Sequence, residues 1–282
     1  MRIVAGELAR AEDAQLYSIC PDCLVLRLVV KGGGFECKRC WWDEYRSQAV
    51  LEKSVEPEVV IDKVRLTRAE VVYIDGPDPL EVVAGDEEWG VLLRELGELG
   101  VIRVVKTLGL VEAPSGLRGL VDAVVVELAV FAPEAPPRGY TRVYDFLDSL
   151  PELGVHYEIL FPYAKRGAKT ILSDIARRRS PLTVVVLDDA LWDEAYRAVK
   201  KLRDEEKLPV FLHNDTSYTV MDFMCPYCGE VLVERRPWRV VRRYEPPEKP
   251  GPVECPKCGR RVPLLDRRPA RRPSLRRRVV VL

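Results

Sequence analysis

The sequence predicts an α/β fold with a largely parallel sheet, flanked by small cysteine-rich modules. Two apolar runs, Val101–Thr107 and Val121–Val130, are rich in β-branched residues and do not alternate with polar ones. Such runs are typical of strands that are covered on both faces. Helix-like segments separate this pair from similar runs elsewhere, so strands and helices alternate along the chain. The further runs are Glu70–Asp75, Val155–Pro162, Thr183–Asp189 and Pro209–Asn214.

Composition narrows the class of protein. The 282 residues suffice for one barrel-sized domain with small attachments, and 47% hydrophobic with 31% charged residues predicts a packed core and a solvated surface. The net charge of +0 argues against a globally basic nucleic-acid binder. We find no signal peptide and no apolar run near the ~20 residues that span a bilayer, so we expect a cytoplasmic protein. Abundant Glu, Arg, Val and Pro hint at a thermophilic source.

All eight cysteines fall in Cys-x-x-Cys pairs, which without an export signal favours metal binding over disulfides. The first two pairs, Cys20/Cys23 and Cys37/Cys40, are separated by a short segment that holds a strand-like run, Leu24–Val30. Two such pairs joined by a hairpin form a tetrahedral four-thiolate site, so residues 1–53 are predicted to be a zinc-ribbon-like module with four cysteine ligands. Iron or an iron–sulfur cluster also suits this geometry. A redox dithiol would need only one pair and leaves the other unexplained.

The last four cysteines lie in two nearly identical knuckles, Cys225-Pro-Tyr-Cys228-Gly and Cys255-Pro-Lys-Cys258-Gly. Glycine after the second cysteine suits a tight turn whose backbone N–H groups point at the thiolates. Residues 221–265 are therefore predicted to be a second zinc ribbon with four cysteine ligands, and Val231–Glu234 and Trp238–Arg243 are its expected hairpin strands. The metal would supply most of the folding free energy of so small a module.

Residues 266–282 are predicted to be a basic tail. Nine arginines fall within Arg260–Leu282, against a single acid, Asp266, and three prolines oppose a helix. One interpretation is a disordered, solvated terminus. The other is contact with RNA or another acidic partner, which would depend on salt.

The glycine-rich segment that ends in Cys37-Lys-Arg-Cys40 resembles the cluster loop of radical SAM enzymes, which carries Cys-x-x-x-Cys-x-x-Cys. Thr107-Leu108-Gly109, Asp122–Phe131 and His156–Pro162 resemble later strands of the same family. The overlap is nearest to the AmmeMemoRadiSam branch, relatives of glycyl-radical-activating enzymes, and spans roughly Glu70 to Pro263. The resemblance implies that residues 54–220 form a partial (β/α) barrel of radical-SAM type. It implies S-adenosylmethionine and a [4Fe–4S] cluster as the cofactors of an active member.

Three departures from that family pattern imply that its chemistry is degraded. Gly33 stands where the first cluster cysteine would be, Gly76-Pro77-Asp78 replaces the Gly-Gly-Glu segment that contacts the SAM amino group, and Ala129 replaces a strand lysine. An alternative stays open at the first cysteines. If Leu24–Val30 is a barrel strand, its seven residues span ~23 Å and separate Cys20 and Cys23 from the later pair. The residues predicted to bind the cofactor are Asp75, Gly76, Asp78, Glu127 and Glu158.

Polar groups at strand ends are further candidates for acid–base work, because α/β barrels place their sites there. Helix capping or solvation of loops is the explanation that we favour for such groups. The sequence contains no nucleophilic triad, Walker loop or Gly-x-Gly-x-x-Gly motif. These candidate groups are Asp75, Lys106, Glu127, Glu158, Asp188, Asp189, His213 and Asn214.

Three functions follow from these patterns. The first is a radical-SAM-like, zinc-containing binding or scaffold protein with degraded chemistry. The second is an active radical SAM-type enzyme with a [4Fe–4S] cluster on Cys37, Cys40 and one or two of the earlier cysteines. The third is a zinc-ribbon protein that binds nucleic acid and uses the barrel as a platform. Analysis of bound iron, sulfide and zinc separates the first two.

Overall fold

A nine-stranded sheet and three small antiparallel sheets organise the described part of the chain in the computed structural model, which describes residues 1–30, 53–114, 116–128, 139–216, 218, 220–237, 239–268 and 278–280. The strands are β1 Arg2–Ile3, β2 Ala5–Arg10, β3 Leu24–Val29, β4 Lys53–Ser54, β5 Val71–Asp75, β6 Ile102–Thr107, β7 Ala123–Glu127, β8 His156–Tyr163, β9 Leu182–Val186, β10 Val210–Leu212, β11 Phe223–Met224, β12 Val231–Arg236, β13 Arg239–Arg242, β14 Gly251–Glu254, β15 Arg261–Asp266 and β16 Arg278–Val280.

Helices lie between most strands of the large sheet. The helix after Asp86 shows why they form where they do: the Asp86 carboxylate accepts hydrogen bonds from two N–H groups of the first turn, and Trp89, Leu92 and Leu96 line its buried face. No helix in the described part of the chain is long and apolar enough to cross a membrane. The helices are α1 Pro57–Thr67, α2 Pro79–Ala84, α3 Glu87–Glu98, the kinked turn α4 Leu117–Leu120, α5 Gly139–Leu153, α6 Lys169–Ala176 and α7 Trp192–Asp204.

The order of strands in the large sheet is that of a barrel sector. Its seven consecutive strands β3, β5, β6, β7, β8, β9 and β10 are parallel, and each pairs with the next one along the chain. A doubly wound sheet would reverse its order at a switch point, and this one does not. Strand β2 runs antiparallel to β3, and β16 pairs antiparallel with β2. Among the described strands, β10 and β16 end the sheet without pairing to each other, so the barrel is partial.

The two faces of the large sheet pack against different parts of the chain. Residues such as Leu26, Ile74 and Val105 face the helices and share their apolar core. Residues such as Val25 and Tyr73 face inward, where the core is completed by the plug segment, defined as residues 11–23 between β2 and β3. Alternation along each strand therefore sends one set of side chains to the helices and the other into the barrel.

The structure confirms the predicted alternation of strands and helices around a mostly parallel sheet. Every apolar run proposed as a barrel strand overlaps an observed strand, with shifted boundaries. For example, the run Glu70–Asp75 contains the strand Val71–Asp75, and the run Pro209–Asn214 contains the strand Val210–Leu212.

The interpretation of Leu24–Val30 as a ribbon strand is wrong. Leu24–Val29 is β3, which pairs along its length with β2 and β5 and is buried on both faces except for the partly exposed Arg27. A ribbon hairpin would leave one face in solvent, whereas this run is apolar on both. The domain boundary predicted at residue 53 therefore falls inside the barrel unit, which includes β2 and β3.

The tail prediction also needs correction at both ends. Asp266 is the last residue of β15 and is fully buried, so it belongs to the cysteine-rich region. Arg278–Val280 forms β16 at the edge of the large sheet instead of a solvated terminus. The β-branched run of valines at 279–281 favours such an edge pairing. Residues 269–277 lie outside the described residues.

Candidate functional site

The four last cysteines converge in the four-cysteine module, which we define as residues 223–266. Their Sγ atoms all lie within 4.8 Å of one another. Cys225 Sγ is 3.7 Å from Cys258 Sγ, and Cys228 Sγ is 3.6 Å from Cys255 Sγ. A tetrahedral site with metal–sulfur bonds of ~2.3 Å separates its sulfurs by about 3.8 Å. These four residues therefore fit a single tetrahedral metal ion.

Each pair of cysteines lies in a tight knuckle that turns its backbone toward sulfur. Gly229 and Gly259 adopt φ values of 74° and 68°, which only glycine adopts without strain. Their N–H groups donate to the carbonyl groups of Cys225 and Cys255, at 2.9 and 2.8 Å. Backbone N–H groups inside each knuckle, including that of Cys228, also donate to the thiols. Such donors stabilise thiolates, so the module is prepared for a cation.

The four-cysteine module is docked on the barrel through aromatic rings and a buried arginine. Phe223 of β11 stacks on Phe211 of β10 at 5.8 Å, and Phe211 stacks on Tyr17 of the plug segment at 5.3 Å. Arg235 is 1% exposed and lies over the Tyr17 ring at 5.1 Å. It donates to the Tyr17 carbonyl oxygen at 2.7 Å and pairs with Glu12 at 3.0 Å. The module therefore lies at the amino end of β3, where Leu265 bonds to Cys20, and packs through an apolar cluster of its own that includes Tyr17 and Phe211.

The structure does not bring a four-cysteine site together at the amino terminus. Cys20 and Cys23 form a disulfide bond and are both fully buried. An oxygen of Asp266 lies within 4.8 Å of both sulfur atoms, a neighbour that the sequence did not indicate. A disulfide supplies no thiolate, so this pair differs from the predicted metal ligands. Cys37, Cys40 and Gly33 lie outside the described residues, and their assignment to a metal stays a prediction.

At the other end of the barrel, five inward-facing charged side chains form a buried ion network of Glu7, Arg27, Asp75, Lys106 and Glu127. Lys106 Nζ lies 2.9 Å from Asp75 Oδ1 and 2.8 Å from Glu127 Oε2. Arg27 Nε lies 2.7 Å from Asp75 Oδ2, and its Nη1 lies 3.2 Å from Glu7 Oε2. Three of these residues stand at or next to the carboxyl ends of β5, β6 and β7. The predicted site residues Asp75 and Glu127 are thus joined through Lys106.

Gly76 and Asp78 follow β5 at the same end. Gly76 has a φ of 148°, and a Cβ there would lie 2.3 Å from the carbonyl oxygen of Val30, so no other residue fits. Asp78 is 3% exposed, and burial raises its pKa from 3.8 to about 6 although Thr107 and Leu108 donate to it. Its second oxygen, Oδ1, is buried and has no hydrogen-bond partner. A buried carboxylate oxygen without a donor is costly and suits a ligand that supplies one.

Glu158, the fifth predicted cofactor residue, holds the plug segment in place. Its carboxylate accepts hydrogen bonds from the backbone N–H groups of Tyr17 and Ser18, at 3.1 and 2.9 Å, and from the hydroxyls of Ser18 and Thr183, at 2.8 and 2.6 Å. Burial raises its pKa above the ordinary value. Because four donors from the protein already occupy the carboxylate, it is a structural anchor between β8 and the plug.

The remaining candidates are divided between the plug and helix capping. His213 Nδ1 lies 3.1 Å from the Tyr17 hydroxyl, and burial lowers the His213 pKa to about 4. His156 contacts the Ser18 hydroxyl in the same way. Asp188 accepts from the Ala190 N–H at 3.0 Å, as a helix cap does. Asp189 begins a 3-10 turn and Asn214 is exposed, so neither lies in the ion network.

Sequence reasoning missed several residues of these sites. Arg27 and Glu7 were not predicted, although Arg27 is the single charge of β3 and Glu7 lies in the middle of β2. The plug segment carried no periodic pattern that would mark it as buried. Tyr17 in particular joins the four-cysteine module, β8 and β10.

No protein-family model and no curated protein matches the chain. Among solved structures, Streptococcus suis SuiB bound to S-adenosylmethionine is similar, with 11% sequence identity and a TM-score of 0.43. The match covers 57% of this chain and 44% of that chain, so less than half of that structure has a counterpart here.

Proposed function

We propose that the protein is a zinc-binding protein built on a partial barrel of radical-SAM type, and that it acts as a binding or scaffold protein. The observation that carries this proposal is the convergence of the Cys225, Cys228, Cys255 and Cys258 sulfur atoms in two glycine-closed knuckles. Four thiolates in a closed tetrahedron are typical of structural zinc, because no position is left for a substrate.

The barrel mouth, which we define as the end of the barrel that holds the ion network and Asp78, supports a binding role over radical chemistry. The groups that reach it are largely engaged with one another, since Lys106 bridges Asp75 and Glu127 and Arg27 bridges Asp75 and Glu7. By the resemblance, Gly33 stands where the first cluster cysteine would be, so one of the three ligands that the resembled family uses is missing. Scaffold function needs neither a cluster nor a nucleophile.

Metal analysis of the purified protein tests the proposal. We expect zinc bound to the four-cysteine module, and we expect Cys228→Ser to lose that zinc because a three-thiolate site binds it more weakly. Ser173→Ala is a matched control, since this exposed hydroxyl lies on α6 of the barrel and donates to the Lys169 carbonyl oxygen. Iron and sulfide in place of zinc, with cleavage of S-adenosylmethionine after anaerobic reconstitution, would contradict the scaffold role.

A second candidate, an enzyme of radical SAM type with an altered site, is favoured by one observation. Asp78 presents a buried oxygen without a donor beside the barrel mouth. It stands where the resemblance places the group that contacts the SAM amino group, which is a donor of the required kind. Equilibrium dialysis with S-adenosylmethionine would then show binding that Asp78→Ala abolishes and Asp188→Asn, a change at a helix cap, leaves intact. Equal binding by both variants would remove this candidate.

A further inference from the structure

The Cys20–Cys23 disulfide lies beneath the four-cysteine module. The Cys20 N–H donates to the Leu265 carbonyl oxygen at 2.7 Å, and the Leu265 N–H donates to the Ser18 carbonyl oxygen at 2.9 Å. These bonds tie the plug segment to β15 on one side, while Cys23 leads directly into β3 on the other. Both sulfur atoms are fully buried, so a reagent reaches them only if the covering strands open.

One of the two sulfur atoms has a cationic neighbour. Arg242 of β13 donates from Nη2 to Cys23 Sγ at 3.6 Å, and the same nitrogen donates to the Pro21 carbonyl oxygen. Its Nε pairs with Asp266 at 2.7 Å, which fixes the guanidinium in this position. No corresponding donor to Cys20 Sγ is present among the described residues. A guanidinium favours negative charge on the sulfur that it contacts, so the two cysteines are not equivalent.

Asp266 is not available as a metal ligand for this pair. Its oxygens already accept from Arg242, from the Tyr244 hydroxyl and from the Arg267 N–H. A cation at the pair would also lie close to the Arg242 guanidinium and be repelled by it. The surroundings therefore suit a thiolate better than a metal-bound sulfur.

We propose that Cys20 and Cys23 are a reversible dithiol–disulfide pair, and that metal in the four-cysteine module controls its exchange with external thiols. The thiolate of an external dithiol attacks Cys20 Sγ, the Cys20–Cys23 bond breaks, and Cys23 leaves as the thiolate next to Arg242. The second thiol of the reagent then displaces Cys20 from the mixed disulfide. The reagent ends as a disulfide, two electrons are transferred, and Cys20 and Cys23 end as a dithiol.

Control by metal follows from what covers the pair. Arg242 and Leu265 belong to β13 and β15, and the two-stranded sheet that contains β15 also carries the Cys255 knuckle. Removing the metal removes a large part of the folding free energy of such a module. The strands over the disulfide would then open more often, and exchange would become faster.

Peptide mass spectrometry of the full-length protein tests this directly. Trypsin cleaves after Arg10 and Arg27, and the peptide between them contains Cys20 and Cys23 and no other cysteine. The protein is treated with an alkylating reagent under native conditions in air before digestion. We expect the peptide to carry no alkyl label and to be lighter than its dithiol form by the mass of two hydrogen atoms. Reduction by dithiothreitol should be at least about tenfold faster after a chelator has removed the metal.

Three results would overturn the proposal. One is a free, alkylated dithiol in zinc-loaded protein prepared in air. Another is an unchanged rate of reduction after metal removal. The third is a second zinc per chain that is lost in Cys23→Ser but retained in Ser173→Ala, because that result assigns the pair to a four-thiolate site. The last outcome leaves zinc in the four-cysteine module intact, so it contradicts this inference and not the proposed function.

The role of Arg242 has its own readout. A monothiol such as glutathione traps the mixed disulfide, and fragmentation of the 11–27 peptide shows which cysteine carries it. We expect the adduct on Cys20 in the wild type and in Arg242→Lys, and a mixture in Arg242→Gln. A purely structural arginine would change the rate without changing the site. An adduct on Cys23 in the wild type would refute the assigned leaving group.

Discussion

The buried ammonium group of Lys106 offers the sharpest test of the barrel mouth. It is 1% exposed and lies within 2.9 Å of both Asp75 and Glu127, on the neighbouring strands to either side. Lys106→Met keeps most of the apolar stem and removes the charge. The ion network then holds three carboxylates and only one cation, Arg27, so its formal charge changes from −1 to −2.

The expected cost follows from this burial. Removing one partner of a buried ion pair destabilises a protein by about 3–5 kcal/mol, because the remaining charge is left without compensation. For a chain of this size that loss lowers the midpoint of thermal unfolding by roughly 10 °C. Glu127→Gln added to Lys106→Met returns the network to −1, so the double variant should recover part of the loss.

The loss should also depend on pH. Without Lys106, Asp75 and Glu127 are buried carboxylates that lack their shared cation, and burial disfavours the charged form of a carboxyl group. A carboxyl with a raised folded pKa stabilises the fold when it is protonated and loses this contribution as pH rises. The variant should therefore be most destabilised near neutral pH and approach the wild type as the pH falls toward about 4.5.

Unfolding followed by circular dichroism at the two pH values measures these differences. Lys200→Met is the matched control, because Lys200 pairs with Asp204 on an exposed helix face and its loss should leave the midpoint unchanged. A Lys106→Met variant as stable as this control would refute the argument. So would a double variant less stable than the single one, since relief of repulsion must stabilise.

Three further predictions concern the same fold. Gly76→Ala should destabilise by about 3 kcal/mol or more, because its Cβ meets the Val30 carbonyl oxygen in a conformation that only glycine adopts, whereas Gly116→Ala, with nothing within 4 Å, should be nearly neutral in the same melts. Burial raises the Asp78 pKa from 3.8 to about 6, so ionisation of Asp78 lowers the free energy of unfolding as the pH rises between these values. Asp78→Asn should remove this decrease and be more stable than the wild type above pH 6; an unchanged dependence of stability on pH would contradict this. Replacing the four arginines within residues 269–277 by glutamine should weaken RNA binding at low salt and reduce its salt dependence, with fluorescence anisotropy as the measure and unaltered binding as the contrary result.

The barrel strands were predictable because burial on both faces leaves a local signature. Runs such as Val101–Thr107 are dominated by β-branched residues, and a run of that length and composition is typical of a strand covered on both sides. The parallel direction of the strands was also accessible, since helices between consecutive strands indicate parallel crossovers.

The assignment of β3 was wrong because local pattern cannot choose a partner. Leu24–Val29 is apolar enough for a strand of either a ribbon or a barrel. The Cys-x-x-Cys pairs on either side of it favoured the assignment to a ribbon. What decides is pairing with Val71–Asp75, which lies far along the chain. The plug segment was missed for a related reason, because its burial comes from irregular backbone bonded to Glu158 and Leu265 and not from periodic apolar residues.

The candidate site was predictable only in part. Asp75 and Glu127 follow from their positions at strand ends, and the four last cysteines follow from their spacing. Whether a polar strand residue faces inward depends on register, which long-range pairing sets. In the sequence, Glu158 and Glu127 look alike, because each is a glutamate in an apolar barrel strand. In the structure, however, Glu158 anchors the plug segment.

The pairing of β16 with β2 has a consequence for how the protein can be shortened. Residues 278–280 shield the outer hydrogen-bonding groups of Gly6–Leu8. A truncation made to remove the arginines would strip that shield and leave a bare strand able to recruit another chain. Replacement of the arginines within 269–277 by uncharged residues keeps residues 278–280 in place, so it separates the effect of charge from that of self-association.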